Sequence, residues 1–140
     1  MSNFGDVFKG LARVLENKIF EMLVIPWPVD TVNHFPAAVV VPEPVDVEVN
    51  LQGNTFEGRL RMVVLVASGD SAEGFDKLWD YLDPTEATKS VVAAVRADQT
   101  LDGKVDDADV ERIENIGRRE LWGGWYFAFD AIVHFIKTVA

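Results

Sequence analysis

Cysteine is absent from the 140-residue chain, which excludes a thiol nucleophile, a thiolate metal site and a disulfide framework, and leaves the redox compartment open. Histidine is nearly absent too. The two present, His34 and His134, have no carboxylate or nucleophile near them in sequence in a recognisable arrangement, so each reads as a hydrogen-bonded structural residue. Basic charge is scarce: 13 Lys and Arg stand against 23 Asp and Glu, for a net charge of −10. Such a surface repels a phosphate backbone, so no nucleic acid contact is expected over most of it. No apolar run approaches the roughly 18 residues of a membrane span. Met1–Asp6 lacks the basic-then-apolar order of a secretory leader, so a soluble chain that stays where it is made is expected. Ser68-Gly69-Asp70-Ser71 lacks the glycine–serine–glycine spacing of a nucleophile elbow, and no phosphate-cradling glycine loop occurs. No catalytic residue, metal ligand or cofactor is implied.

Apolar side chains are what the chain has. They make up 49% of it, with nine Phe and four Trp, enough for a folded domain of this length to need no staple. One domain, 1–140, is expected. Phe4, Val7, Phe8, Leu11 and Leu15 recur at helical spacing between Asn3 and Lys18, with Ser2 or Asn3 as cap and Asp6 in the first turn. Ile19–Ile25 reads as a short strand ended by Pro26-Trp27-Pro28. Pro36, Pro42 and Pro44 bracket a second short strand, Ala37–Val41. Val45, Val47, Val49 and Leu51 alternate with polar residues, the pattern of a strand with one wet face. After a turn at Gln52-Gly53-Asn54, Thr55–Ala67 reads as the longest, central strand. Asp70 and Glu73 then have the spacing of a capping pair, and Phe75, Leu78, Trp79 and Leu82 form one helical stripe. Thr85 or Thr88 caps a third helix carrying Val91, Val92 and Val95, closing near Ala97. An acidic loop, Asp98–Asp109, leads to a hairpin of Val110–Leu121 and Trp125–Val139 about a Gly123-Gly124 break. This order predicts an α+β fold: an antiparallel or mixed sheet, with an N-terminal helix and two further helices on one face.

Four features invite a functional reading. Asp98–Asp109 matches a calcium loop at Asp98, Thr100, Asp102, Gly103 and Asp106, since calcium takes several hard oxygens around a tight glycine turn. Against this, the twelfth place holds Asp109 instead of the longer Glu, and Arg112–Leu121 reads as a strand where a helix is required. The plainer reading is a turn whose Asp side chains bond their own backbone. Asp76, Asp80 and Asp83 fall away from the apolar stripe and read as a solvated helix face. Arg112, Arg118 and Arg119 read as solvated charges on an exposed hairpin, with contact to an acidic patch as the alternative. Trp122, Trp125, Tyr126, Phe127 and Phe129 serve either an interface anchor or the hairpin core.

Taken together, residues 35–139 resemble the tail terminator, or tail completion, family of long-tailed bacteriophages, particularly those of actinobacteria. The resemblance rests on Phe35-Pro36-Ala37-Ala38-Val39-Val40-Val41, the strand Leu60–Ser68 and the helix ending Leu78-Trp79-Asp80-Tyr81-Leu82-Asp83. It continues through the Lys89–Asp98 helix, the Leu101–Ala108 loop and the closing Gly-Gly strand. It implies a structural, non-enzymatic virion protein of the tail and neck, made in the host cytoplasm. Such subunits form a ring, commonly a homohexamer, that caps the tail tube, stops its polymerisation and offers a docking surface to the head–tail connector. The expected partners are therefore itself, the tube protein and the connector protein. The alternatives are another tail or neck component, tube-like or connector-like, and a calcium-binding interaction module using Asp98–Asp109.

Overall fold

A computed structural model describes residues 4–138 except 20, 26, 28, 42, 43, 51 and 87. The expected caps Ser2 and Asn3, Pro26, Pro28, Pro42, Leu51 and Val139 lie outside the described residues. In chain order the elements are α1 (Phe4–Lys18), β1 (Leu23–Val24), β2 (Ala37–Val40), β3 (Asp46–Asn50), β4 (Thr55–Ser68), α2 (Gly74–Leu82), α3 (Val91–Ala97), β5 (Asp107–Leu121) and β6 (Gly124–Thr138). The strands form one mixed sheet in the order β1-β2-β4-β6-β5, with β3 also paired to β4. Only β1 and β2 run parallel; the other pairings are antiparallel. The fold is thus α+β, as the periodicity predicts. No helix among the described residues is long and apolar enough to cross a membrane.

All three helices cover one face of the sheet. Val7, Leu11 and Leu15 of α1, Leu78 and Tyr81 of α2, and Val91, Ala94 and Val95 of α3 meet Leu60, Met62, Val64, Phe129, Val133 and Phe135 in one buried cluster. Fully burying a side chain of this size stabilises by about 1.5–3 kcal/mol, so this layer carries most of the fold. Close approach fixes Gly10 in α1: a Cβ there would lie 2.1 Å from the Leu101 carbonyl oxygen. Among the described residues the opposite face carries no helix. A smaller cluster covers one end of it, where Val32, Phe35 and Val29 lie over Val39, Val63, Leu65 and Tyr126. Val32 N–H donates to the Tyr126 hydroxyl at 3.0 Å, tying that loop to the sheet.

Several local expectations are corrected. β4 is central but not longest, having 14 residues against 15 each in β5 and β6. β3 is exposed along its whole length, because the helical layer stops short of it. Asp70 and Glu73 form no capping pair: Glu73 makes no side-chain cap bond, and Asp70 accepts from Ser68 Oγ instead. α2 buries Gly74, Leu78 and Tyr81 and turns Phe75 and Trp79 outward. The cap of α3 is Ser90, whose Oγ accepts from Ala93 N–H at 3.1 Å, while Thr85 is held by Asp83. The closing hairpin turns at Trp122-Gly123, with φ of 48° and 80°, which is the positive-φ pair of a tight two-residue turn.

Candidate interaction surfaces

Away from the small apolar cluster, the helix-free face of the sheet is covered by charge. Its centre is Asp130, whose side chain is 3% exposed. Asp130 Oδ1 accepts from Arg119 Nη1 at 2.7 Å, and Oδ2 accepts from Arg61 Nη1 at 2.8 Å and Asn115 Nδ2 at 2.9 Å. Asn115 reaches it because β5 bulges between Glu114 and Gly117, with Asn115 at φ 56°; bulges commonly re-aim a side chain in this way. From Arg61 the lattice continues to Glu114 at 2.7 Å, and Arg112 joins Glu114 to Glu111 at 3.2 and 3.0 Å. Arg59 then links Glu111 of β5 to Asp46 of β3 at 2.7 and 3.0 Å. Four guanidiniums meet four carboxylates across β3, β4, β5 and β6.

These contacts shift the ionisations. The hydrogen bond from Arg59 holds the Glu111 carboxyl below its ordinary value, and those from Arg61 and Arg112 do the same for Glu114. Hydrogen bonds to Glu111 and Asp46 push Arg59 up. Burial opposes the Arg61 charge, but its bonds to Glu114 and Asp130 outweigh it and raise its pKa. Sequence carried a signal for the centre of this lattice: a lone carboxylate within the apolar run Trp125–Ile136 needs a partner if that strand is buried. The partners, from β4 and β5, were not readable locally.

Arg112 and Arg118 are exposed, as expected of charges on an open hairpin, but all three arginines also have partners within the protein. Arg112 and Arg119 belong to the lattice. Arg118 lies on the helical face, its Nε donating to the Gly69 carbonyl at 2.7 Å and its guanidinium 4.4 Å above the Trp125 ring.

In the loop after α3, carboxylate oxygens are engaged within the protein. Asp98 accepts from Thr100 N–H and Oγ1 and from Asp102 N–H at 2.7–3.2 Å, which lowers its pKa, the Thr100 hydroxyl contributing most. Asp102 pairs with Arg13 at 2.8 Å, Asp106 accepts from Thr138, and Asp109 lies 3.5 Å from Arg96. Leu101 is fully buried. The turn reading describes this loop, which closes the end of the helical core. No group of three or more His, Asp or Glu suited to a metal ion occurs among the described residues.

The histidines stay apart. His34 Nε2 lies 2.9 Å from the Glu21 carbonyl oxygen, and His134 Nε2 lies 3.0 Å from Glu57 Oε2, a neighbour 77 positions away in sequence. Asp76 and Asp83 are exposed, as expected of a solvated helix face, and Asp80 is 3.4 Å from Lys89.

Two kinds of uncovered surface remain. One is the pair of sheet edges. Besides the two-residue β1, which pairs only with β2, the described strands with an outer edge are β3, paired only with β4, and β5, paired only with β6. They lie on opposite sides of the sheet and differ in character. β5 is long, charged and bulged twice, devices that discourage indiscriminate pairing. β3 has no bulge and exposes Val47 and Val49, the latter 64% accessible. The other surface is aromatic. Of the residues expected as anchor or core, Tyr126, Phe127 and Phe129 are core and Trp122 is half-buried, whereas Trp125 stands open with Phe75 and Trp79 of α2. No protein-family model matches the chain, and no curated protein matches it.

Proposed function

We propose that the protein is a structural virion subunit, a tail terminator that assembles into a ring, caps the phage tail tube, halts its polymerisation and offers the connector a docking surface. The reading rests on the resemblance of residues 35–139 to that family. The observation that carries it physically is the pair of unlike outer strands on one sheet. A cyclic ring is built from heterologous contacts, so each subunit needs two different, mutually complementary surfaces. β3 runs antiparallel to β4 while β5 runs parallel to it. In subunits related by rotation about an axis roughly along the strands, β3 of one meets β5 of the next in the antiparallel sense, which allows direct strand pairing. The homohexamer, its place in the tail and neck of the virion, and the tube and connector proteins as further partners come from the resemblance.

Electron microscopy of a lysate from a phage carrying a nonsense codon in this gene tests the reading. Overlong tails of variable length beside unattached filled heads are the expected result. Tails of normal length would refute termination and move the protein to the neck or outside the virion altogether.

A further inference from the structure

Phe75 is 60% exposed, Trp79 66% and Trp125 47%. Apart from Trp27, which is 48% exposed and stands edge-on to Trp122 at 6.4 Å, the other described aromatics are at least partly buried, so such openness asks for a partner. The three residues form one corner. Phe75 and Trp79 are neighbours on α2 at i and i+4. The Phe75 ring stands edge-on to Phe127 at 4.9 Å, and Phe127 follows Trp125 by two positions on the same face of β6. Two of these rings are already fixed. Gly74 lies directly against the Phe127 ring, bringing α2 close enough for Phe75 to stack there. Arg118, anchored on the Gly69 carbonyl, lies over Trp125. Aromatic anchors held in place before binding lose little freedom on binding, which is what interface hot spots require.

The corner is rimmed by carboxylates. Asp76 and Asp83 flank Trp79 at i−3 and i+4, and Glu120 stands directly across from Trp125 in the β5–β6 register. All three are exposed. We infer that this corner docks a basic segment of a different protein, one presenting lysine or arginine beside an apolar anchor. The anchor meets Phe75 and Trp79, and the cations meet the acidic rim and the open face of Trp79, whose ring attracts positive charge. A second copy fits poorly. Each copy carries −10, four arginines are committed to the lattice, and Arg13, Lys89 and Arg96 are paired with Asp102, Asp80 and Asp109. The inference goes beyond the ring reading and does not depend on it.

The test uses the full chain and defined probes: 14-residue amphipathic peptides of Lys and Leu, of Glu and Leu in the same pattern, and of Lys and Ser at equal charge, titrated by calorimetry. The Lys/Leu peptide is expected to bind, and the other two to bind at least tenfold more weakly. Trp79→Ser, which changes no charge and removes a residue already 66% exposed, is expected to weaken Lys/Leu binding at least tenfold at a nearly unchanged melting temperature. Phe75→Ser should act in the same direction. Binding within twofold of wild type in both variants would overturn the inference, because attraction to the overall charge would then suffice. Equal binding of the Glu/Leu or Lys/Ser peptide would overturn it as well. So would self-association abolished by Trp79→Ser, since the occupant would then be a second copy.

Discussion

Replacing Asp130 by alanine tests whether the charge lattice holds the sheet together or merely decorates it. The substitution removes three hydrogen bonds, two of them to guanidiniums. Breaking a fully buried ion pair costs about 3–5 kcal/mol, because the surviving charge is left without compensation. Here the survivors are partly wet: the Arg61 and Arg119 side chains are 30% and 25% exposed, and Arg61 keeps Glu114. Solvent screening therefore moves the expected loss to about 2–3 kcal/mol. At about 2.1 cal/mol/K of unfolding entropy per residue, a chain this long loses roughly 7–10 °C of melting temperature. Asp130→Asn separates charge from volume. Its amide keeps the shape but turns a donor toward Arg61, Arg119 or Asn115, so a loss of similar size is expected. Urea unfolding followed by tryptophan fluorescence and by far-ultraviolet circular dichroism gives both values. If both variants fall within about 0.5 kcal/mol of wild type, the surface range for neutral changes, the lattice is ornamental and the reasoning fails.

Gly74→Ala places a Cβ 2.1 Å from the Phe127 ring, and the overpacking should cost about 1–3 kcal/mol despite alanine's better helix propensity, read as a lower urea midpoint. The carboxyls of Glu111, Glu114, Asp98 and Asp106 are held below their ordinary values by hydrogen bonds. Their contribution is complete above the unfolded values of about 4 and is lost as the pH falls through the lower folded ones. Stability should thus be level above about pH 5 and decline below it; Glu111→Gln with Glu114→Gln should flatten that decline in urea midpoints taken between pH 7 and 3. Val47→Lys with Val49→Lys should leave the monomer's melting temperature within a few degrees, because both side chains are already open to water. If the chain forms the proposed ring, the same pair should abolish it in sedimentation velocity, and rings that persist would remove β3 from the interface.

The elements of this fold were legible where one periodicity dominated. Val7, Leu11 and Leu15 recur at helical spacing, and the continuous run Val63–Val66 announces a strand buried on both faces; both follow from local pattern alone. What failed were choices between equally apolar faces. On α2, Phe75 with Trp79 and Leu78 with Tyr81 are competing stripes, and the closeness of Gly74 to Phe127 decides between them, a contact made across 53 positions. β3 alternates like a half-buried strand, yet no helix reaches it, because the helical layer ends where the Asp98–Asp106 loop turns back toward β6. The arginines of β5 were legible as charges but not as partners of Asp130, since a β-bulge sets which of them point inward. The cap of α3 is Ser90, directly before the first helical residue, and not Thr85 or Thr88 farther upstream.

On the proposed reading, folding and assembly draw on different residues. Among the described residues no buried side-chain nitrogen or oxygen lacks a hydrogen-bond partner, and the lattice balances its own charge, so the helix-free face needs no neighbour to stay folded. Among the described residues, Val47 and Val49 of β3 and Phe75, Trp79 and Trp125 of the aromatic corner are exposed and stand outside the buried clusters. In the proposed ring such a subunit would fold before it associates, and its net charge of −10 would oppose premature association at a range of about a Debye length. Changes at Asp130 should then lower stability before they alter assembly, while changes at Val47, Val49 or Trp79 should alter contacts without lowering stability. A sheet whose open face depended on a partner would link the two, and both groups of variants would unfold.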